Sequence, residues 1–241
     1  VTSRGASVIS AGIPKEVAPG FAALGVVAFT TTRQAGTFGT NGSEPVHDVI
    51  ARWAVLRDEL GARRLASAKQ VHGTRVHLHT AGWAGWLRAD EGDGHLSSTR
   101  GTAMAVSVAD CVPVFIAHPS GAAALLHSGW RGTAGRIIER AIAMLADLKL
   151  APRDLVVHCG PSICGRCYEV SPDVFTALTS RTVDRPTTVD LRALIADHAR
   201  AAGVRDITIS ASCTRCDNDR FFSHRAGDDG RQLGVLYAPL P

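Results

Sequence analysis

Hydrophobic positions along this chain follow two patterns. Three short continuous apolar runs, Ala103 to Val108, Val112 to Ala117 and Ala122 to Leu126, each stop at a polar or glycine-rich turn, as buried strands do. Elsewhere the spacing is helical. Val46, Val49, Ile50, Trp53, Leu56 and Leu60 recur on one face and Gly61 offers a stop, which predicts a core-facing helix. Ile137, Ile138, Ala141, Ile142, Leu145 and Leu148 predict a second, with Thr133 as its cap. Two further helices are expected over about 171 to 180 and 190 to 202. Strands are expected over 21 to 31, on both sides of His72-Gly73, over Leu155 to His158 and Val204 to Ser210, and near the C-terminus. The His72-Gly73 dipeptide suits a tight reversal. Residues 82 to 101, rich in Gly and Asp, predict loop with a short strand at Gly94 to Ser97. Hairpin-like strand clusters outweigh strict strand-helix-strand alternation, so the class is α+β, as one domain over residues 1–241.

Composition narrows the function classes. The chain is 45% hydrophobic and 20% charged over 241 residues, enough to bury a sizeable core without disulfides. No apolar run is long enough to span a bilayer, and the stretch VTSRGASVISAGIPKEVAPG has neither a signal-peptide core nor a transit-peptide pattern. The expectation is a cytoplasmic protein with no membrane partner. The 26 basic and 22 acidic residues are scattered, so nucleic acid is not an expected partner. The six cysteines are then read as thiols or ligands.

Candidate chemistry gathers where strands end. His72, Cys111 and His127 sit at predicted strand ends or turns, and two imidazoles with one thiolate make the three-ligand set of a catalytic zinc with one open position. A Cys-His hydrolase competes for the same residues, with Cys111 as nucleophile, His127 as base and Asp110 or His72 orienting it. The segment HSGWRGTAGR is a glycine-rich turn between strand and helix that suits an anion, with Arg131 adding charge, but it lacks the P-loop lysine. His77 and His79, two apart on a strand, share a face and offer a second metal grip, or simply a solvated edge. The pairs Cys164-x-x-Cys167 and Cys213-x-x-Cys216 are separated by far more chain than a zinc ribbon allows, so free cysteines near the rim are expected before a structural zinc held by all four. A cytidine-deaminase zinc site is excluded because no H-x-E precedes the cysteines. A multicopper cluster is disfavoured because only His77/His79, of ten histidines, has the needed spacing.

Five blocks in order, KQVHG at Lys69 to Gly73, ADCVPV at Ala109 to Val114, HSGWRGTAG at His127 to Gly135, GPSICGRCYEV at Gly160 to Val170, and CTRC followed by FFSHR and GRQ, closely resemble the YfiH-type family, also called the laccase-domain or polyphenol oxidase family. The resemblance spans residues 29 to 236. It implies an α/β/β/α sandwich with mixed sheets and one zinc on His72, Cys111 and His127. It also implies phosphorolysis of adenosine, inosine and methylthioadenosine and deamination of adenosine, with copper-dependent phenol oxidation as an older assignment. Purine nucleoside and phosphate are the expected small-molecule partners. Catalytic roles fall to Cys111, Asp110 and His127, and substrate or phosphate binding to Arg33, Asn41 and Arg131. Ser128 stands where alanine is commoner and Cys164 where glycine is usual.

Overall fold

The three apolar runs lie at the centre of two facing sheets. The computed structural model describes residues 12–241; residues 1–11, the first part of the stretch read for a leader, lie outside the described residues. In chain order the strands are β1 (Lys15–Val17), β2 (Val27–Thr31), β3 (Arg64–Lys69), β4 (Val76–His79), β5 (Gly85–Glu91), β6 (Gly94–Ser97), β7 (Thr102–Val108), β8 (Val112–Ala117), β9 (Ala123–Ser128), β10 (Val156–Cys159), β11 (Glu169–Val170), β12 (Thr187–Thr188), β13 (Asp206–Ile209) and β14 (Gln232–Tyr237). The helices are α1 (Val46–Glu59), α2 (Trp130–Ala134), α3 (Ile137–Asp147), α4 (Pro172–Thr179) and α5 (Leu191–Ala201). One sheet runs β1-β2-β14-β7-β3-β5 and the other β13-β10-β8-β9-β6-β4. Both are mixed, with β3 parallel to β5 and β7 in the first, and β10 parallel to β13 and β4 to β6 in the second.

Side-chain alternation explains the layering. In β7, Met104, Val106 and Val108 face Phe115, Ala117, Ala123 and Leu125 of the other sheet, forming the central core. Ala103 and Ala105 point the other way, with Leu233 and Val235, onto Val49, Trp53 and Leu56 of α1. On the far side, Val112, Val114, Ile116, Ala124 and Leu126 meet Ile138, Ile142 and Leu145 of α3 and Ile195 and Ala199 of α5. Strands covered on both faces carry no polar alternation, which is why they read as unbroken apolar runs. The order of layers is α/β/β/α, as the resemblance implied.

Four local expectations are corrected. Residues 85–91 form β5, not loop; it is a sheet edge with most of its side chains at least partly exposed, so its Gly and Asp neighbours hid it. The runs on either side of His72-Gly73 are not a hairpin, because β3 and β4 belong to different sheets and the dipeptide lies on the crossing between them. Thr133 does not cap α3. It lies in the short α2, its hydroxyl 2.9 Å from that of Ser128, while Arg136 precedes α3 in a left-handed conformation. The strand expected over 21–31 starts only at Val27, after a 3-10 turn over Ala22–Leu24 closed by Gly25 at φ 62°.

Candidate metal centre

The pairing of β8 with β9 sets Val112 opposite Ser128 and Pro113 opposite His127, so Cys111, one residue before β8, and His127, near the end of β9, reach the same end of the sheet. His72 arrives from the crossing segment at φ 60°, a left-handed turn that aims the side chain back at β9; its ring centroid is 4.8 Å from that of His127. One ligand atom from each of His72, Cys111 and His127 lies within 4.8 Å of the others. His127 is buried, Cys111 half-buried and His72 exposed, which leaves the outer side of the trio open to solvent. Gly129 closes the back. A Cβ there would stand 2.9 Å from the Cys111 sulfur and 3.2 Å from the His72 ring, so the backbone approaches closely because no side chain intervenes.

Asp93, absent from the sequence reading, organises the trio from behind. Its fully buried carboxylate accepts from the backbone N–H groups of Val71 (3.2 Å), His72 (2.9 Å) and Gly73 (2.7 Å), and lies 2.8 Å from His127 Nδ1. That bond directs His127 Nε2 outward as the ligand atom. Burial alone would raise the Asp93 pKa, but the bonds from His127 and Gly73 hold it below the ordinary carboxylate value. The Cys111 thiol is likewise opposed by burial and favoured by the charge and hydrogen bond of His127 and the hydrogen bond of His72, which win and lower its pKa. His127 moves the other way: burial disfavours its charge, but Cys111 and Asp93 raise its pKa. Without an ion the pair is a thiolate beside an imidazolium, and a divalent cation would replace that proton. The donor chemistry, thiolate plus two imidazoles with one solvent-facing side, fits zinc.

Asp110, at φ 80°, uses its carboxylate to accept from Thr214 Oγ1 (2.6 Å) and Arg225 N–H (2.7 Å), which ties the neighbouring loops together. Arg131 is exposed and stacks over Trp130 at 4.4 Å. Arg33 pairs with Asp228 at 2.6 Å and donates to the carbonyls of Asn218 and Phe221. Asn41 lines a cavity of about 320 Å³ beside α1, with Trp53, Gln70, Trp86 and Arg231. On β4, His79 is buried and its Nε2 lies 2.8 Å from His95 Nδ1. Among the described residues no ligand-capable group of three or more includes His77 or His79. The two C-x-x-C pairs, expected as free cysteines near the rim before a structural zinc held by all four, converge into one group.

Two more residues at the rim were not singled out. The Tyr168 phenol is raised in pKa by burial and by the charges of Cys111 and Asp110, against the pull of Arg225 and Arg131, and Arg225 stacks over its ring at 5.2 Å. Both lie inside the blocks GPSICGRCYEV and FFSHR, so the signal was present as motif membership. Asp93 had a weaker signal, an acid in a glycine-flanked turn just before β6.

A family model described as multi-copper polyphenol oxidoreductase laccase matches residues 28–238. Relatives include the purine nucleoside phosphorylase of Deinococcus radiodurans, 35% identical over 81% of this chain and 78% of that protein, and that of Streptomyces coelicolor, 34% identical over 83% and 86%. The crystal structure of YlmD from Geobacillus stearothermophilus superposes with a TM-score of 0.82 at 29% identity, covering 92% of this chain and 94% of that one. The Bacillus licheniformis YfiH structure shares the fold, with a TM-score of 0.84 at 23% identity and coverage of 94% and 97%.

Proposed function

We propose, for a chain that belongs to the multi-copper polyphenol oxidoreductase laccase family of YfiH-type proteins, that its activity is zinc-dependent phosphorolysis of purine nucleosides: adenosine, inosine and methylthioadenosine. The observation that carries this reading is the convergence of His72, Cys111 and His127 on an open rim flanked by Arg131 and Arg225, supported by relatives named purine nucleoside phosphorylase. Zinc, when bound, supplies a positive charge and an open coordination position at which a reactant is polarised. In phosphorolysis a phosphate oxygen bonds to C1′ while the C1′–N bond breaks and its electron pair leaves with the purine. Arg131 and Arg225 offer guanidinium groups to the phosphate. Tyr168, whose phenol pKa burial raises further above its ordinary value, offers its O–H as a hydrogen bond where charge develops. Asp110 fixes Thr214 and Arg225. Arg33 acts at one remove, through Asp228, which also accepts from Ser223 N–H, and Asn41 acts from the cavity wall.

Copper is served less well. A trinuclear oxidase centre needs clustered histidine pairs, and the ligand-capable groups among the described residues are one His-Cys-His trio and one set of four cysteines. A Cys-His hydrolase is the second reading, favoured by the Cys111–His127 pair with Asp93 on the far ring nitrogen. One experiment separates the readings. Metal-stripped and zinc-loaded protein are incubated with adenosine or inosine and phosphate, and the products resolved by chromatography. Free base and ribose 1-phosphate formed only by the zinc-loaded protein, and lost in Cys111→Ala, support the proposal. Inosine from adenosine without free base indicates deamination instead, and turnover that rises when zinc is stripped indicates the hydrolase.

A further inference from the structure

The C-x-x-C pairs share no residue with the catalytic trio, yet they meet. Cys164 and Cys167 lie on the loop between β10 and β11, and Cys213 and Cys216 on the loop after β13, 49 residues further along for the Cys167 and Cys216 pair. One sulfur from each of the four lies within 4.8 Å of the other three. All four are free thiols. The Cys167 and Cys216 sulfurs are 3.4 Å apart, well beyond the ~2.05 Å of a disulfide and close to the roughly 3.8 Å edge of a tetrahedron whose corners are ~2.3 Å from a central ion.

From this geometry we infer that Cys164, Cys167, Cys213 and Cys216 form a second, structural zinc site with a closed tetrahedral tetrathiolate shell. The surrounding bonds suit thiolates. The backbone N–H groups of Cys164 and Cys216 point at the Cys213 sulfur, at 3.3 and 3.5 Å, as amides do around a metal-bound sulfur that bears negative charge. Each C-x-x-C carries an exposed arginine, Arg166 and Arg215, to offset the net charge of four thiolates around a dication. Each chain stretch also supplies the short turn that brings two sulfurs of a C-x-x-C to one ion, with Cys167 N–H bonded to Cys164 O at 2.9 Å and Asp217 N–H to Cys213 O at 2.8 Å.

The site has a task in this fold. It clamps the two loops where a short bridge of Ser162 with Cys213, the bond from Thr214 N–H to Ser162 O and a bond from the Arg215 guanidinium to Cys167 O also join them. Thr214, next to Cys213, holds the Asp110 carboxylate, and Tyr168, next to Cys167, lines the rim. The ion would therefore fix one wall of the catalytic rim without touching reactants.

The test uses the full chain loaded with zinc and freed of loose metal. Metal analysis is expected to give about two zinc per chain, about one in Cys111→Ser and about one in Cys164→Ser/Cys213→Ser. Cobalt-loaded Cys111→Ser is expected to keep intense thiolate-to-metal absorption. Should the double variant fail to fold, alkylation mapping on the unmodified chain decides. Exposed Cys216 and half-buried Cys167 are expected to resist iodoacetamide until a strong chelator is added. Folded Cys111→Ser that takes up no zinc, prompt alkylation of Cys216 in zinc-loaded protein, or a Cys167–Cys216 disulfide recovered from freshly isolated protein would each overturn the inference. Because the readouts are metal content and thiol protection, they stand whether or not phosphorolysis is observed.

Discussion

Asp93 decides how well His72 and His127 hold an ion, because its one carboxylate accepts from the consecutive N–H groups of Val71, His72 and Gly73, fixing the turn that carries the first, and sets the ring tautomer of the second. Asp93→Asn is expected to weaken zinc binding by about 10–100-fold and to lower stability by about 1–3 kcal/mol. Competition titration against a chromophoric chelator and urea unfolding measure the two effects. Gly129 sits at an ordinary φ of −82°, so Gly129→Ala costs little backbone strain. Its added methyl would still press on the Cys111 sulfur. The expected result is a folded protein whose zinc affinity falls at least about tenfold, an effect of the kind seen when a supporting group around a metal is lost; unchanged affinity would show that the backbone relaxes. Proton linkage gives a third prediction at this scale. In the ion-free pair the Cys111 thiol is lowered to about 6 and His127 raised to about 9, so between those values the thiol is already ionised and His127 holds the proton. Zinc must displace that proton. Affinity should therefore rise by about tenfold per pH unit across this window and level off above it, as calorimetry in buffers of different ionisation enthalpy would show.

At the scale of elements, β8 and β9 carry the site because they are pinned from both sides. Leu125 of β9, fully buried between the sheets, is two residues from His127. Leu125→Ala is expected to cost about 2–5 kcal/mol, as transfer and cavity terms add. By contrast, Val55 of α1 is 51% exposed, and Val55→Ser should stay within about 0.5 kcal/mol; paired urea titrations compare them. Elements buried on one or two faces were legible in the chain: β7, β8, β9, α1 and α3 all follow from apolar spacing. The exposed edge strand β5 was not, because an edge strand with little core contact needs no apolar pattern and takes its form from pairing with β3. The false hairpin at His72-Gly73 has the same origin. Local turn chemistry shows that the chain bends there, not which sheet the next strand joins.

For the whole molecule, an ion that binds the folded chain alone shifts unfolding by mass action. Zinc at about a hundred times its dissociation constant should add about 2.7 kcal/mol and raise Tm by about 5–10 °C, an effect that calorimetry would find diminished in Cys111→Ser. Among the described residues no helix is long and apolar enough to cross a membrane. The chain by itself determined which strands are buried, where the main helices lie and which residue types gather at strand ends, because burial and periodicity are local properties of the order of side chains. It also named His72, Cys111 and His127, through motif blocks rather than spacing. Only the tertiary structure decided that these three meet, that Asp93 stands behind them, that Asp110 accepts from Thr214 and Arg225, and that four cysteines in two distant loops come together. The reason is physical: coordination depends on distances of a few ångströms between groups whose separation along the chain carries no such information until sheet register and strand order have been fixed.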